Sequence, residues 1–438
     1  MPDVSMFRRF RLFFQTVHFL SWHQILNRLT RIARRQCDGM FCRPTLASRH
    51  PDVRQLYIVW VGLAESNLVE ETESLIRHAD DLAKRKFRFL GETGSFADSI
   101  NWNDPCFSQL WRYHLHYFHY FRDLAAFSQM GEGIKASRLF CRYVDDWVAG
   151  NDSLNGDGWH PYTLSLRLVN WVQGYRMFSE SMELDERFCD RMLRSMYRQA
   201  EILCRDREFD VRGNHLLENL RALIWMGMFF EGKDADHWYA SSMKLLEVEV
   251  AEQILSDGGH FERSPGYHLI VLRSLLEIGY LLRRNDRGVP DWLSQAISRM
   301  LDYLGWIVAP SGQVPLLKDT TLDDALEPAD LMAVGAVFLD APEFKVFSCT
   351  GNLFRDWLTD GERKRWKSWT LSPLRNGFRE PGETGHCIFR DNSRKDFMIF
   401  DVGGVCPDYL PAHGHADMFT YELMLGGESV VVDSGVYQ

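Results

Sequence analysis

Three short stretches gather the side chains that proton transfer beside an anion would need. The first is Gly213-Asn214-His215-Leu216-Leu217-Glu218-Asn219, at the head of a strongly apolar run. Asn214 reads either as a helix cap or as a neutral donor to an anion at a positive helix end. His215 and Glu218 are three apart and share a helix face. The second stretch runs Asp257-Gly258-Gly259-His260-Phe261-Glu262-Arg263-Ser264-Pro265-Gly266-Tyr267-His268. Ser264 then Pro265 spells a cap and a first helical position. Tyr267 falls in the first turn, where the helix dipole favours a phenolate and eases proton exchange.

The third stretch is Pro411-Ala412-His413-Gly414-His415-Ala416-Asp417. Two histidines spaced by one residue in extended chain point the same way. With a carboxylate such as Asp433 they make the start of a zinc site. A fourth stretch, Trp159 to Trp171, sets Arg167 and Asn170 on one face. An arginine fork there suits a sugar carboxylate, and Trp159 offers a stacking surface. Each piece has a plainer reading: a cap, a packed phenol, a loop imidazole, a core aromatic.

Elements must position these groups. Apolar residues recur at three- and four-residue steps over 107–127, 164–178, 188–203, 215–230, 240–255, 267–282, 292–308 and 329–339, which predicts helices in series. Such helix pairs bury their faces by closing into a toroid or stacking as a solenoid. After about residue 371 the grammar becomes β: runs at 386–390, 397–402, 419–425 and 429–432, with a turn at Gly426-Gly427. The predicted division is a basic segment over 1–70, a helical domain over 71–370 and a β domain over 371–438. About four strands are too few to close a sandwich, so the expectation is a fragment, or a sheet completed by something else.

The net charge of −10 over 438 residues argues against a general polyanion-coating surface and against nucleic acid as partner. Yet residues 1–35 hold seven arginines and one acid. They read as a basic amphipathic helix that packs on the main domain with its arginines exposed, or that touches an anionic membrane face. No convincing export signal or spanning run occurs there. Nine scattered cysteines without a C-x-x-C pair read as mostly reduced and buried.

Taken together, the Asn214, Tyr267 and His413 stretches and the Val432-Asp433-Ser434-Gly435 run resemble the heparinase II/III-like family of polysaccharide lyases. The resemblance implies an α+β chain: an incomplete α/α toroid followed by the start of an antiparallel β-sandwich, with a cleft between them. It implies β-elimination of a uronic-acid-containing acidic polysaccharide. It assigns Asn214 to the substrate carboxylate, Tyr267 and His413 to acid–base chemistry, and His415 and Asp433 to a structural zinc or other divalent ion, with no organic cofactor. His215, Glu218, Arg167, Asn170, Trp159, His260 and Glu262 are the candidate substrate-binding residues. The loop ending in Asp319 departs from the family's usual Pro-x-x-Gly-Asp. The resemblance points to the cell envelope, while the missing signal and the cysteines lean to the cytoplasm. Two other expectations compete: a non-catalytic polysaccharide-binding protein of surface-polysaccharide assembly, and a glycoside hydrolase using Asp257 and Glu262.

Overall fold

The computed structural model describes residues 19–40, 44–60, 69–181, 184–321, 326–348, 350–410, 414–415 and 417–436. Helices α1 (Trp22–Met40) and α2 (Val69–Ala83) come first. A hairpin follows, β1 (Lys86–Phe89) against β2 (Glu92–Ser95), in a stretch whose pattern reads as helical throughout. Then come α3 (Gln109–Tyr117), α4 (Tyr120–Phe127), α5 (Gly133–Gly150), α6 (Pro161–Ser181), α7 (Glu186–Arg205) and α8 (Gly213–Phe229). After these come α9 (Lys233–Gln253), α10 (Pro265–Arg284), α11 (Asp291–Ile307), α12 (Pro328–Leu339), α13 (Asn352–Trp357) and α14 (Asp360–Ser368). The run over 107–127 is two helices, because Phe118 turns left-handed at φ +61 and caps α3. Helix α5 is absent from the periodic runs named above.

Packing follows a two-layer rule. Alternate helices touch in the series α4–α6–α8–α10–α12, and α5 touches α7 as α9 touches α11. The first series is the inner ring of an incomplete α/α toroid. Its sequence explains its place: α8 is buried at every residue except His215. A helix apolar all round has to be interior. Helix α7 is strongly one-sided, with buried Phe188, Met192, Met196 and Leu203 on its inner face, and lies outside.

Polar groups also sit inside. Arg221 of α8 is bonded to Glu218 at 2.6 Å and to Glu277 of α10 at 2.5 Å, all three almost wholly buried. Trp225 Nε1 adds a bond to Glu277 at 3.0 Å, and the Ser274 hydroxyl donates to Glu218. Burial works against the guanidinium, but both carboxylates outweigh it and raise its pKa. The cluster ties α8 to α10, the helices that begin with Asn214 and Tyr267.

Strands β3 (Gly377–Arg379), β4 (His386–Asp391), β5 (Asp396–Asp401), β6 (Tyr421–Leu425) and β7 (Glu428–Val431) form one antiparallel sheet in that order. Gly426 and Gly427 both take positive φ, +62 and +87, as the tight β6–β7 turn demands. The sheet is bonded to the helices at several points. Asp257 accepts from the Thr384 amide at 3.0 Å, and Tyr303 meets His386 Nδ1 at 2.5 Å. Buried Lys318 pairs with Asp401 at 2.9 Å and Asp417 at 2.8 Å. Burial takes the His386 pKa down to about 4, so this contact is neutral at physiological pH.

Two expectations need correcting. The seven described cysteines are free, but Cys37 and Cys106 are exposed and the other five half-buried, so none is a core residue. Helix α1 does pack on the main domain, yet with Arg31 turned inward to Asp210 at 2.6 Å. Among the described residues no helix is long and apolar enough to cross a membrane.

Replacing Arg221 with Ala strands two buried carboxylates. Stability should fall by about 3–5 kcal/mol, read as a lower urea midpoint. A loss under 1 kcal/mol would mean that the cluster does not hold the two helices.

Candidate active site

Helices that alternate in direction bring every second N-terminus to the same face. The first turns of α6, α8 and α10 therefore assemble one polar recess from residues far apart in sequence. From α6 and the turn before it come His160 and Tyr162, from α8 Asn214 and His215, and from α10 Tyr267. Tyr162 lies over the His215 ring, centroids 4.3 Å apart, and the His160 and His215 rings are 6.4 Å apart. The Tyr162 and Tyr267 phenols are close enough to interact electrostatically. Partial positive charge at three helix starts favours an anion here, with the Tyr162, Asn214, Gly266 and Tyr267 N–H groups already donating to His160, Glu262, Thr320 and Ser264.

Helix α8 begins abruptly. Arg212 and Gly213 both take positive φ, +63 and +56. Gly213 is required twice over, since a Cβ there would also run into Glu262 Oε1 and Leu410. Asn214 is not the cap. It sits inside the first turn, and its backbone N–H donates to Glu262 Oε1 at 2.9 Å while its Nδ2 donates to Glu262 Oε2 at 3.1 Å. Its Oδ1 is buried with no hydrogen-bond partner. Behind the turn, His260 Nε2 meets Gln253 Oε1 at 3.1 Å, and Gln253 Nε2 donates to Gly213 O at 3.3 Å. Tyr267 is half-buried, and Ser264 caps its helix from the predicted position, with Pro265 next.

The strongest electrostatic pair is Glu208 with His215, at 3.1 Å. Glu208 has no exposed side-chain surface. Burial pushes its pKa up, but His215, His160 and the Asn219 amide outweigh that and bring it to about 2. Burial pulls His215 down, but Glu208 outweighs it and the net pKa is raised. His160, 3.6 Å from the same carboxylate, is instead lowered by burial to about 4. Glu208 thus favours the charged form of His215, while burial holds His160 neutral. Burial holds the Tyr162 phenol protonated.

Several expected ligand-binding residues are structural. Arg167 is wholly buried: its guanidinium donates to Gln199 Oε1 at 2.9 Å and Gly158 O at 2.8 Å, and stacks on Trp147 at 3.9 Å. It cannot reach a sugar carboxylate. Asn170 donates to Tyr117 O at 2.8 Å, and Trp159 packs on Trp147 in the core. Glu218 belongs to the Arg221 cluster, and His260 braces the Gly213 turn. Glu262 bonds to Asn214 and also acts electrostatically on His215. Tyr162 and Glu208 were missed. Tyr162 lay in the quoted aromatic stretch beside a helix start, but nothing local marked Glu208.

His413 lies outside the described residues. It follows Leu410 by three in the sequence, and Leu410 packs at Gly213. His415 Nε2 meets Asp319 Oδ1 at 2.6 Å, Asp417 is bound to Lys318, and Asp433 Oδ1 accepts the Gly435 amide at 2.8 Å. These carboxylates are engaged, the Lys318 ammonium sits between Asp401 and Asp417, and among the described residues no group of three His, Cys, Asp or Glu is arranged to hold a metal. Asp257 and Glu262 are engaged separately, with Thr384 and Asn214, and form no carboxylate pair in the structure's bonding.

A family model described as heparinase II/III N-terminus matches residues 61–345, and one described as heparinase II/III-like, C-terminal, matches 375–438. A heparin-sulfate lyase of Pedobacter heparinus is 24% identical over 358 residues, 78% of this chain and 50% of that protein. The chain thus spans about half the length of that relative. The FtsZ-localized protein C of Caulobacter vibrioides is 26% identical over 212 residues, 46% of this chain and 33% of that protein. A crystal structure of heparinase III superposes with a TM-score of 0.72 at 19% identity, covering 87% of this chain and 61% of that one, a likeness of fold.

Glu208→Gln should lower the His215 pKa, followed by NMR titration of the imidazole Cε1–H. The sign is set on both sides. The depressed Glu208 pKa gives stability present above about pH 4.3, the unfolded carboxylate value, and lost as pH falls toward about 2. The raised His215 pKa gives stability present below about pH 6.5 and lost as pH rises through the folded value. An unchanged His215 titration in the variant would break the assigned pair.

Proposed function

The chain belongs to the heparinase II/III family, and from that premise we propose that it cleaves a uronic-acid-containing acidic polysaccharide by β-elimination. The observation that carries this reading is the convergence of Asn214, His215 and Tyr267 at neighbouring helix N-termini. Two relatives named heparin-sulfate lyase support it.

The chemistry suits these groups. The C5 proton of a uronate is weakly acidic. It leaves more readily when donors stabilise the enolate-like charge that spreads into the carboxylate. The Asn214 amide donates without carrying charge, and the His215 imidazole, held by Glu208 and favoured in its charged form, adds a donor on the same face. A base removes the proton, and an acid returns one to the departing O4. Tyr267 at its helix start serves either step, with His413 as its proposed partner. Tyr162 and His160 replace Arg167 and Trp159 as the groups that position the sugar.

A second reading has one observation in its favour. Glu262 already engages the Asn214 donors, as a substrate carboxylate would, and Glu218 and Glu208 add nearby negative charge. A protein that binds the glycan without eliminating is compatible with that arrangement.

Product analysis separates the readings. A lyase yields unsaturated uronates, followed by their ultraviolet absorbance, from a panel of heparan-like, alginate-like and bacterial capsular glycans. Tyr267→Phe should lower turnover by about 10²-fold or more, and Asn214→Ala by roughly 10²–10³-fold. Glycan binding with no product, unchanged by Tyr267→Phe, would favour the second reading. Saturated products with a new reducing end would overturn both.

A further inference from the structure

Helix α1 brings cations to a group of carboxylates that other groups already answer. Asp206 is bonded by Arg205 at 2.8 Å and lies 3.7 Å from Arg34. Asp210 holds Arg31 at 2.6 Å. Glu208 takes His215 at 3.1 Å and the Asn219 amide at 3.0 Å, with Arg31 3.9 Å away. Arg35, one turn beyond Arg31, is left over. Among the described residues no ion pair reaches it, and its Nη2 is buried with no hydrogen-bond partner. Burial and the Arg31 charge work against its guanidinium, while Asp206 and Glu208 support it only through their fields. A cation drawn part-way out of water without a partner is costly, and an arriving anion removes that cost.

The surroundings of Arg35 say which anion. Tyr113 of α3 interacts with it electrostatically, and the Tyr113 ring is 5.2 Å from the His160 ring. The His160 ring is in turn 6.4 Å from His215 in the recess. A row of four side chains, His215, His160, Tyr113 and Arg35, therefore leads from the recess to α1. Each is only half-buried, so a ligand can reach the row. Burial and Asp157 push the Tyr113 phenol up to about 12, which keeps it protonated as a donor. Arg112, the other cation beside Tyr113, is spent on Asp157 at 2.6 Å. An aromatic ring next to an open arginine fork suits a sugar that bears an acidic group: the ring takes the apolar face and the fork takes the anion.

We propose that Arg35, with Tyr113 and His160, forms a second anion subsite beside the recess. It takes the carboxylate or sulfate of a sugar neighbouring the one held at Asn214. The glycan that fits then carries acidic groups on more than one of its sugars. This rests on the glycan reading given above. Arg35 binds and does not react, so it holds ground state and transition state alike.

Calorimetric titration tests it in the full chain carrying Tyr267→Phe, where binding is read without turnover. The probes are tetramannuronate and a tetrasaccharide of a uronate-bearing bacterial capsule, which have carboxylates only, and a heparan sulfate tetrasaccharide, which adds sulfates. Arg35→Gln should weaken binding by about tenfold or more. Arg35→Lys should recover part of it, since an ammonium lacks the fork. An effect on a carboxylate-only probe makes the group a carboxylate, and an effect confined to heparan sulfate makes it a sulfate. Circular dichroism and the His215 titration should stay unchanged, because Arg35→Gln breaks no ion pair and leaves Glu208 in place. With Tyr267 restored, Arg35→Gln should raise KM about tenfold and leave kcat within about twofold. Unchanged affinity of Arg35→Gln for every probe that binds overturns the proposal and leaves the glycan reading standing. Binding of no probe before Arg35 is changed overturns the glycan reading, and this inference with it.

Discussion

Glu218, Arg221 and Glu277 meet where α8 and α10 cross, almost wholly out of water. A buried ion group is costly unless every member finds its partner. Once complete, it tolerates little sliding, because a shift of one residue would separate charge from charge. It lies one to two turns below Asn214 along α8, and Ser274 brings α10 into the same network. The relative height of the two helix starts is therefore fixed from beneath. With that height fixed, Asn214 and Tyr267 are presented side by side on the open face.

Above the cluster a second set of constraints sharpens the geometry. The left-handed Arg212-Gly213 step brings the Asn214 backbone and side chain onto Glu262, and Gln253 with His260 holds the Gly213 carbonyl from behind. Glu208 settles which imidazole is charged. Its two histidine neighbours differ in burial and distance, and only His215 gains more from the carboxylate than it loses to desolvation. The recess therefore joins an imidazole favoured in its charged form, a neutral amide and the protonated Tyr162 phenol at converging helix starts. Thr384, His386 and Lys318 dock the sheet on the helical domain.

Much of this was legible locally. Periodicity located most of the helices, because a residue's burial on a helix repeats at 3.6. Ser264-Pro265 capped α10 as written, and Gly426-Gly427 turned β6 into β7. The failures share a cause. Phe118 breaks a continuous apolar pattern with no Gly or Pro at the break, and the β1–β2 hairpin, though it turns at Gly91, has strands too short for their period to register. Arg167 and Glu218 look like ligand groups in a sequence, since charged residues are seldom buried without partners. Their partners, Gln199 and Gly158 for one, Arg221 and Ser274 for the other, come largely from other turns and other helices. Helix α1 failed in the same way: Arg31 turns inward to Asp210 and Arg34 reaches Asp206, because carboxylates at 206–210 wait there.

Most helix positions, the family and the places of Asn214 and Tyr267 at helix starts were readable along the chain, because caps, periodicity and short motifs act within one or two turns. Only the tertiary structure decided that those starts lie on one face, that Glu208 charges His215 and not His160, and which polar residues are spent on holding the core. Those outcomes depend on distance and desolvation between residues remote in the chain, and neither quantity exists until the helices have packed.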